Sequence, residues 1–270
     1  YACCSLQGRM LQDETRPHSG NVCERSPEPF GLWTKIYISC TNYTLDVFMS
    51  AAVYVLWPEN VEVMGFNDTL LQDQLSLSLE FGGQHYKSSC YYQWANRLNL
   101  LARLDWSLIK QIVKLYGEAP PNELIAVELS AQTLMDDTAL ASVLTYVSAF
   151  PDLAKNICFD IRENIVVNEK DIFKEFCEQV RCMGAKVALK RVGPEFTKIK
   201  NIQEFGLEML KIDSIYAHNI SYSQDNQTFL RGVCTLAHSI GIKVVAQGVT
   251  SQDDIDTLVN LGFDGVIKES

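Results

Sequence analysis

After Gly83 the chain alternates short apolar segments with longer segments of helical period, and this alternation constrains the fold most strongly. Residues 106–116 place apolar side chains on one side of a helix that stops at Gly117, and an apolar segment at 124–129 follows. Strands that alternate with helices are typical of βα units around a parallel sheet. We therefore expect an α/β protein with roughly five or six such units.

The predicted strands are 124–129, 157–161, 186–189, 209–212, 243–246 and 265–267. The predicted helices are 106–116, 133–150, 171–183, 195–205, 226–240 and 252–261. This order fits a TIM-like (β/α) barrel, and a doubly wound sheet is the alternative. Because no Gly-x-Gly-x-x-Gly or Walker-type loop follows any of these strands, the barrel is favoured.

The first part of the chain has a different character. Residues 1–32 show no sustained period and include Ser26-Pro27-Glu28-Pro29, so we expect a linker or a poorly ordered arm. Residues 33–270 then form the predicted barrel domain. Apolar segments at 48–57 and 61–66 flank Pro58-Glu59-Asn60, which predicts an antiparallel hairpin at the start of this domain.

Charge and hydrophobicity exclude several classes of function. The 23 basic and 33 acidic residues give a net charge of −10, which repels a polyanion, so we expect no nucleic-acid partner. No apolar stretch approaches the roughly 20 residues that span a bilayer, and no leader opens the chain. We expect a soluble piece, whose parent protein could be anchored in a membrane.

The cysteines indicate the redox compartment of the protein, and the histidines bear on metal binding. Nine scattered cysteines without a C-x-x-C disfavour a disulfide framework and a zinc site, which predicts a reducing cytoplasm. The rival interpretation is a secreted protein, because Asn42, Asn67, Asn219 and Asn226 each open an N-x-Ser/Thr triplet. The four histidines show no i, i+4 pair, so they predict no metal site.

Function is expected where the predicted strands end, because ligand sites of such barrels lie at the carboxyl ends of the strands. Acids alone there would suit Mg²⁺ or Mn²⁺, but cations among them oppose that. The candidate ligand-binding residues are Asn67, Glu128, Asp160, Glu163, Lys190, Arg191, Lys211, Asp213 and Gln247.

Three segments in the last third are distinctive: Leu210-Lys211-Ile212-Asp213, the run 236–249 with its Ala246-Gln247-Gly248-Val249, and Leu261-Gly262-Phe263-Asp264-Gly265. With them the chain resembles an EAL domain, the barrel phosphodiesterase of bacterial cyclic di-GMP signalling. The resemblance extends more weakly over 32–270, through residues 126–130 and 159–163. It implies a barrel of the EAL type.

The resemblance also implies where the catalytic signatures lie, and the chain departs from most of them. The name-giving Glu-Ala-Leu is placed at Asn67-Asp68-Thr69, and the nucleotide-contacting Arg two residues further on at Leu71. Mainly Glu163, Lys211 and Asp213 keep the family's residue types. The remaining exchanges are Asn to Glu128, Glu to Asp160, Asp-Asp to Lys190-Arg191, Glu to Gln247, Glu to Thr250 and Gln to Ile267.

These exchanges change the electrostatics of the implied site. A two-metal phosphodiesterase needs several carboxylates, and two cations in their place repel divalent ions at about 4 kcal/mol per close pair. Lys190 is therefore predicted to take the place of the ions and to neutralise Glu128 or Asp160. The resemblance with these exchanges implies a degenerate domain with no catalytic residue, no metal and no cofactor.

Other interpretations of the same residues stay open. Lys190 and Arg191 could form a solvated surface pair, Lys211 a structural ion pair with Asp213 or Glu163, and Gln247 a hydrogen-bonded core amide. A cluster of aromatic residues could stack on a purine, anchor a helix or mark an interface. It comprises Tyr86, Tyr91, Tyr92 and Trp94.

Residues 94–106, 195–197 and 225–230 resemble the LapD type of receptor. That resemblance implies a degenerate EAL domain, at the cytoplasmic end of an inner-membrane protein, that binds cyclic di-GMP without hydrolysing it. It also implies a protein partner or an adjacent signalling domain, and we add a homodimer as a further expectation.

Three functions follow as hypotheses. The first is an inactive receptor module for cyclic di-GMP, which Lys190, Arg191 and Lys211 favour because they could bind a dianion. The second is an interaction module that no longer binds nucleotide, which Leu71 favours because an alkyl chain cannot replace a bidentate guanidinium. The third is a working metal-dependent phosphodiesterase.

Overall fold

The computed structural model describes residues 61–81 and 84–267, which lie within one compact unit. The strands are β1 Val61–Gly65, β2 Leu70–Leu75, β3 Leu79–Phe81, β4 Gln84–Tyr86, β5 Leu124–Glu128, β6 Ile157–Arg162, β7 Lys186–Val192, β8 Met209–Ile212, β9 Lys243–Gln247 and β10 Gly265–Ile267. The helices are α1 Ser88–Arg97, α2 Leu101–Tyr116, α3 Ala131–Leu134, α4 Asp137–Ser148, α5 Pro151–Ala154, α6 Glu163–Asn168, α7 Lys170–Cys182, α8 Ser214–Ala217, α9 Gln224–Ser239 and α10 Gln252–Leu261.

Eight strands close into a barrel in the order β1-β10-β9-β8-β7-β6-β5-β2, so the barrel prediction is confirmed. All neighbouring pairs are parallel except those of β1, which is antiparallel to β2 and to β10. Seven strands thus end at the same side of the barrel. We call that side the mouth and the opposite side the base.

The predicted strand 61–66 is confirmed as β1. Within the described residues it forms an antiparallel hairpin with β2, the strand that follows it in the sequence. The pattern did not reveal β2 because Gln72 and Gln74 interrupt its apolar residues. The predicted strand 48–57, like the predicted arm 1–32, lies outside the described residues. Between β1 and β2 the chain turns through Asn67, whose Oδ1 accepts a hydrogen bond from Thr69 Oγ1 at 2.6 Å.

Two predicted helices are divided in the structure. The segment 133–150 forms α3, α4 and the start of a new turn, because Asp136 accepts hydrogen bonds from the Thr138 and Ala139 amides and begins α4 there. The segment 195–205 forms two short 3₁₀ helices, Pro194–Lys198 and Ile202–Phe205, with Asn201 in the left-handed region between them. The Asp136 side chain bonds locally to the backbone and so competes with a continuous helix, whereas the break at Asn201 follows from its left-handed backbone.

The core has two parts, set by the alternation of strand side chains. The larger part packs the outward-facing strand residues against the helices. The smaller part lies inside the barrel and consists of Val63, Cys158, Ala188, Met209, Val245 and Ile267. Two residues beyond Cys158, Ala188, Met209 and Val245, the same inward-facing positions become polar, at Asp160, Lys190, Lys211 and Gln247. Apart from the buried Gln72, the barrel interior is therefore apolar towards the base, and it is charged at the mouth.

No helix within 61–81 and 84–267 combines the length and apolar character that crossing a bilayer requires.

Candidate functional site

A cavity of about 740 Å³ opens at the mouth. Its floor and strand wall carry Gln74, Glu128, Asp160, Lys190 and Gln247, and its outer wall comes from α1 and α2. This volume lies within the range of small-molecule sites. The structure thus brings Glu128, Asp160, Lys190, Arg191 and Gln247 of the sequence-predicted set to one cavity.

The deepest charges are an ion pair inside the barrel. Lys211 Nζ lies 2.6 Å from Asp160 Oδ2, and their side chains are 0% and 2% exposed. Gln74 Nε2 donates to the same carboxylate oxygen at 3.3 Å. Burial lowers the pKa of the Lys211 ammonium below its ordinary value, and the Asp160 carboxylate opposes that shift. The predicted partner of Lys211 was Asp213 or Glu163, which is wrong.

A second charged group lies closer to the opening. Glu128 Oε2 lies 3.0 Å from Lys190 Nζ, and Glu128 Oε1 lies 2.5 Å from Arg162 Nε. Burial alone would raise the pKa of the Glu128 carboxyl, but Lys190 and Arg162 outweigh it and lower the pKa to about 2. The prediction that Lys190 neutralises an acid of the mouth is confirmed.

Lys190 and Arg191 differ in orientation because β7 bulges between them. The register of β7 against β8 shifts between Lys190 and Val192, and Arg191 adopts φ 55. The Lys190 side chain is 17% exposed, whereas Arg191 is exposed on the rim. The interpretation of both residues as a solvated surface pair is therefore wrong for Lys190.

Arg162 is a site residue that the sequence did not single out. Its guanidinium lies 4.1 Å from the centroid of the Tyr92 ring, so it joins α1 to β6 across the cavity. Strand alternation from Asp160 could have found it, because residues two apart face the same side. Of the predicted aromatic cluster, Tyr91 anchors α1 by donating its hydroxyl to the Leu77 carbonyl, while Tyr92 lines the cavity.

Asp105 on α2 is a second residue that the sequence missed. Its Oδ2 accepts hydrogen bonds from Ser130 N at 2.8 Å, Ser130 Oγ at 2.6 Å and Thr133 Oγ1 at 2.5 Å. Burial raises the pKa of the Asp105 carboxyl to about 6, against the effect of these hydrogen bonds. Asp105 fixes the start of α3 to the cavity wall.

Glu163 and Asp213 each accept a hydrogen bond from a backbone amide near the mouth. Glu163 Oε1 accepts a hydrogen bond from Gly193 N at 3.1 Å, beneath the loop that follows Lys190 and Arg191. Burial raises the pKa of Glu163 to about 7, and hydrogen bonds from the Gly193 and Phe196 backbone oppose the shift. Asp213 caps α8 by accepting a hydrogen bond from Ile215 N at 3.0 Å.

Asn67 does not reach the mouth, contrary to the prediction. Gly65 pairs with Gly265, the first residue of β10, so the turn after β1 lies at the base. The strand that carries side chains from this hairpin to the mouth is β2, with Gln74 at the cavity. Gln74, Leu75 and Ser76 therefore stand at the mouth end of this hairpin, and the predicted placement of the Glu-Ala-Leu signature at Asn67-Asp68-Thr69 does not reach the cavity.

The donor set does not fit a two-metal centre. Asp160 and Glu128 are each held by a cation, and Gln74 and Gln247 bring no negative charge. Within the described part of the chain, no group of three or more His, Cys, Asp or Glu side chains is placed to hold a metal ion. A divalent ion here would have to displace Lys190 and Lys211 from their carboxylates.

The EAL domain family model matches residues 83–267. Curated relatives include the cyclic di-GMP phosphodiesterase PdeB of Shewanella oneidensis, which is 22% identical over 172 residues, covering 63% of this chain and 20% of the relative. The protein y4lL of Sinorhizobium fredii is 23% identical over 170 residues, covering 63% and 21%. The chain thus spans about a fifth of the length of these relatives.

Solved structures show the same fold. The S helix-GGDEF-EAL structure of Vibrio cholerae LapD bound to c-di-GMP superposes with a TM-score of 0.76 at 17% identity, covering 88% of this chain and 56% of that one. The FimX EAL domain of Xanthomonas citri in complex with c-di-GMP superposes with a TM-score of 0.73 at 19% identity, covering 88% and 93%.

Proposed function

The chain belongs to the EAL domain family, and from that premise we propose that it is an inactive regulatory module that binds cyclic di-GMP at the barrel mouth. The observation that carries the proposal is the pairing of the two carboxylates on the strand wall of the cavity with cations, Glu128 with Lys190 and Asp160 with Lys211. The module relays its occupancy to a protein partner, an adjacent signalling domain or a second copy. We place it in the cytoplasm, attached to an inner-membrane protein.

The charge arrangement argues against hydrolysis. A two-metal mechanism needs carboxylates free to hold ions that turn water into hydroxide at neutral pH. On the strand wall of the cavity, Asp160 already has Lys211 at 2.6 Å and Glu128 already has Lys190 at 3.0 Å. Metal binding would leave Lys211 buried without its partner, which is costly.

The same arrangement supports binding of a dianion without metal. Lys190, Arg162 and Arg191 lie at one cavity, and the Tyr92 ring packs against the Arg162 guanidinium there. Guanidinium and ammonium groups bind phosphate oxygens strongly. The LapD structure, which was solved bound to c-di-GMP, supports the choice of ligand.

The second candidate is an interaction module that does not bind nucleotide. Gln74 favours it, because β2 reaches the cavity with an uncharged amide and carries no guanidinium that could bind a phosphate. Such a module would act through protein contacts alone.

Isothermal titration with cyclic di-GMP, in chelator and again in Mg²⁺ or Mn²⁺, separates these functions. The receptor module binds equally well in both buffers, and chromatography detects no linear product. A titration that shows no heat of binding at high ligand concentration would reject the receptor function and favour the interaction module. Linear product that appears only with metal would contradict both.

A further inference from the structure

Glu128 forms ion pairs with Arg162 and Lys190, the two cations that an anionic ligand would need at this site. Its Oε1 contacts Arg162 Nε at 2.5 Å and its Oε2 contacts Lys190 Nζ at 3.0 Å. One carboxylate thus spans two positive groups from neighbouring strands, as two oxygens of a phosphate would. Among the described residues, no other acid forms an ion pair with Arg162 or Lys190.

All three side chains are accessible from the cavity. Glu128, Arg162 and Lys190 are 25%, 20% and 17% exposed, and each lines the cavity. The Asp160–Lys211 pair differs, because it is closed to solvent and its lysine does not line the cavity. A ligand can therefore reach the Glu128 cluster without opening the barrel.

We infer that Glu128 is an internal competitor for the phosphate of the ligand, and that it sets the affinity of this site. A phosphate that binds Lys190 and Arg162 must either displace the Glu128 carboxylate or lie beside it, and like charges at close range oppose binding. The inference rests on the proposed function and adds to it the residue that weakens binding. It predicts that neutralising Glu128 tightens binding.

The alternative role of Glu128 is structural. In that case the ion pairs would serve to position β5, β6 and β7, and neutralisation would lower stability without raising affinity. The two roles differ in the sign of the effect on the dissociation constant, so the affinity itself distinguishes them.

The experiment titrates cyclic di-GMP into the wild-type protein, Glu128→Gln and Asp152→Asn. Asp152 is an exposed acid outside the cavity, so its variant changes the net charge equally and controls for long-range effects. We expect Glu128→Gln to bind about tenfold to a hundredfold more tightly, and Asp152→Asn to match the wild type. In Glu128→Gln/Lys190→Gln the gain should shrink, because one released cation is missing.

The outcomes separate the inference from the proposed function. If the wild type and Glu128→Gln bind with equal affinity, the inference is wrong and the receptor function stands. Binding by the variant alone supports the inference and rejects a receptor function for the native chain. If neither binds, both fail.

Circular dichroism checks that each variant is folded before titration. Should Glu128→Gln be unfolded, Glu128→Asn is titrated instead, since Asn is the residue type that the family resemblance implies at this position. Unfolding of both variants would overturn the inference, because Glu128 would then be required for the fold.

Discussion

Lys211 Nζ and Asp160 Oδ2 lie 2.6 Å apart inside the barrel, where neither side chain is more than 2% exposed. A buried charge is tolerable only with a partner, so each residue depends on the other. The pair lies one inward-facing position beyond Met209 and Cys158, at the boundary between the apolar interior and the charged mouth. It makes the upper barrel polar and balances one buried positive charge with one buried negative charge.

Removing one member of this pair should destabilise the protein strongly. We expect Lys211→Met to lower the free energy of unfolding by about 3–5 kcal/mol, because Asp160 is left charged and buried. The double variant Asp160→Asn/Lys211→Met should recover most of that loss. Urea denaturation measures both. Equal losses in the single and double variants would mean that packing, and not charge pairing, gives Lys211 its role.

Lys190→Ala should also destabilise the fold, but less. Glu128 keeps Arg162, and the pair is partly exposed, so we expect a loss of about 1–2 kcal/mol. The exposed pair Lys155–Asp152 provides the control, since Lys155→Ala should have no measurable effect. Millimolar Mg²⁺ should leave the melting temperature of the wild type unchanged. A rise in that temperature with Mg²⁺ would contradict the assignment of Lys190 to the place of the ions.

Glu163 should make the stability pH-dependent. Its folded pKa of about 7 lies above the ordinary 4.5, so the folded state binds the proton more tightly and the unfolded state releases it first. Stability relative to Glu163→Gln should therefore fall as pH rises from about 4.5 to about 7, by roughly 1–3 kcal/mol, and then level off. Denaturation of both proteins across that range gives the difference. A relative stability that rises with pH would reject the raised pKa.

The bulge at Arg191 should tolerate glycine and reject a β-branched residue. Arg191 has φ 55, which glycine adopts without strain and valine adopts only at a cost. We expect Arg191→Gly to keep or slightly raise the free energy of unfolding, and Arg191→Val to lower it by about 1–2 kcal/mol. Thermal melts of the two variants test this. Both should weaken cyclic di-GMP binding if the rim cation contacts the ligand.

Gly265 should be irreplaceable at the pairing of β10 with β1. A Cβ there would lie 2.1 Å from the Met64 carbonyl oxygen and 3.0 Å from Gly65 Cα. We expect Gly265→Ala to lower the free energy of unfolding by about 2–4 kcal/mol, because the two backbones must separate. Gly232 in α9 has no neighbour within 4 Å of such a Cβ, so Gly232→Ala should stabilise by about 0.5–1 kcal/mol. A mild Gly265→Ala phenotype would show that this pairing yields easily.

The sequence predicted the barrel and most of its strands because Leu124, Ile157 and Val244 begin uninterrupted apolar runs that only strands buried on both faces need. It did not predict β2, because inward-facing Gln72 and Gln74 remove the apolar signature from that strand. The error at Asn67 has the same origin. If β2 is not recognised, the sequence predicts the turn after β1 to be a strand end at the mouth.

The site was predicted in part for a related reason. Glu128, Asp160 and Lys190 follow apolar strands directly, so their positions could be counted along the sequence. Their partners cannot be counted in this way: the sequence predicts Asp213 or Glu163 for Lys211, whereas the structure pairs Lys211 with Asp160. The pairing with Asp160 depends on which side of the strand each residue faces and on the register across β6, β7 and β8.

The strand β1 is antiparallel to both neighbours and pairs with β10, so the barrel closes only when residues such as Val63 and Ile267, far apart in the sequence, meet. During synthesis on the ribosome, β10 emerges last of these strands. Until then, the backbone edge of β1 that pairs with β10 stays unpaired. Long-range pairings of this kind slow folding and expose strands to wrong partners. Expression of this domain should therefore depend on chaperones more than its stability alone would suggest.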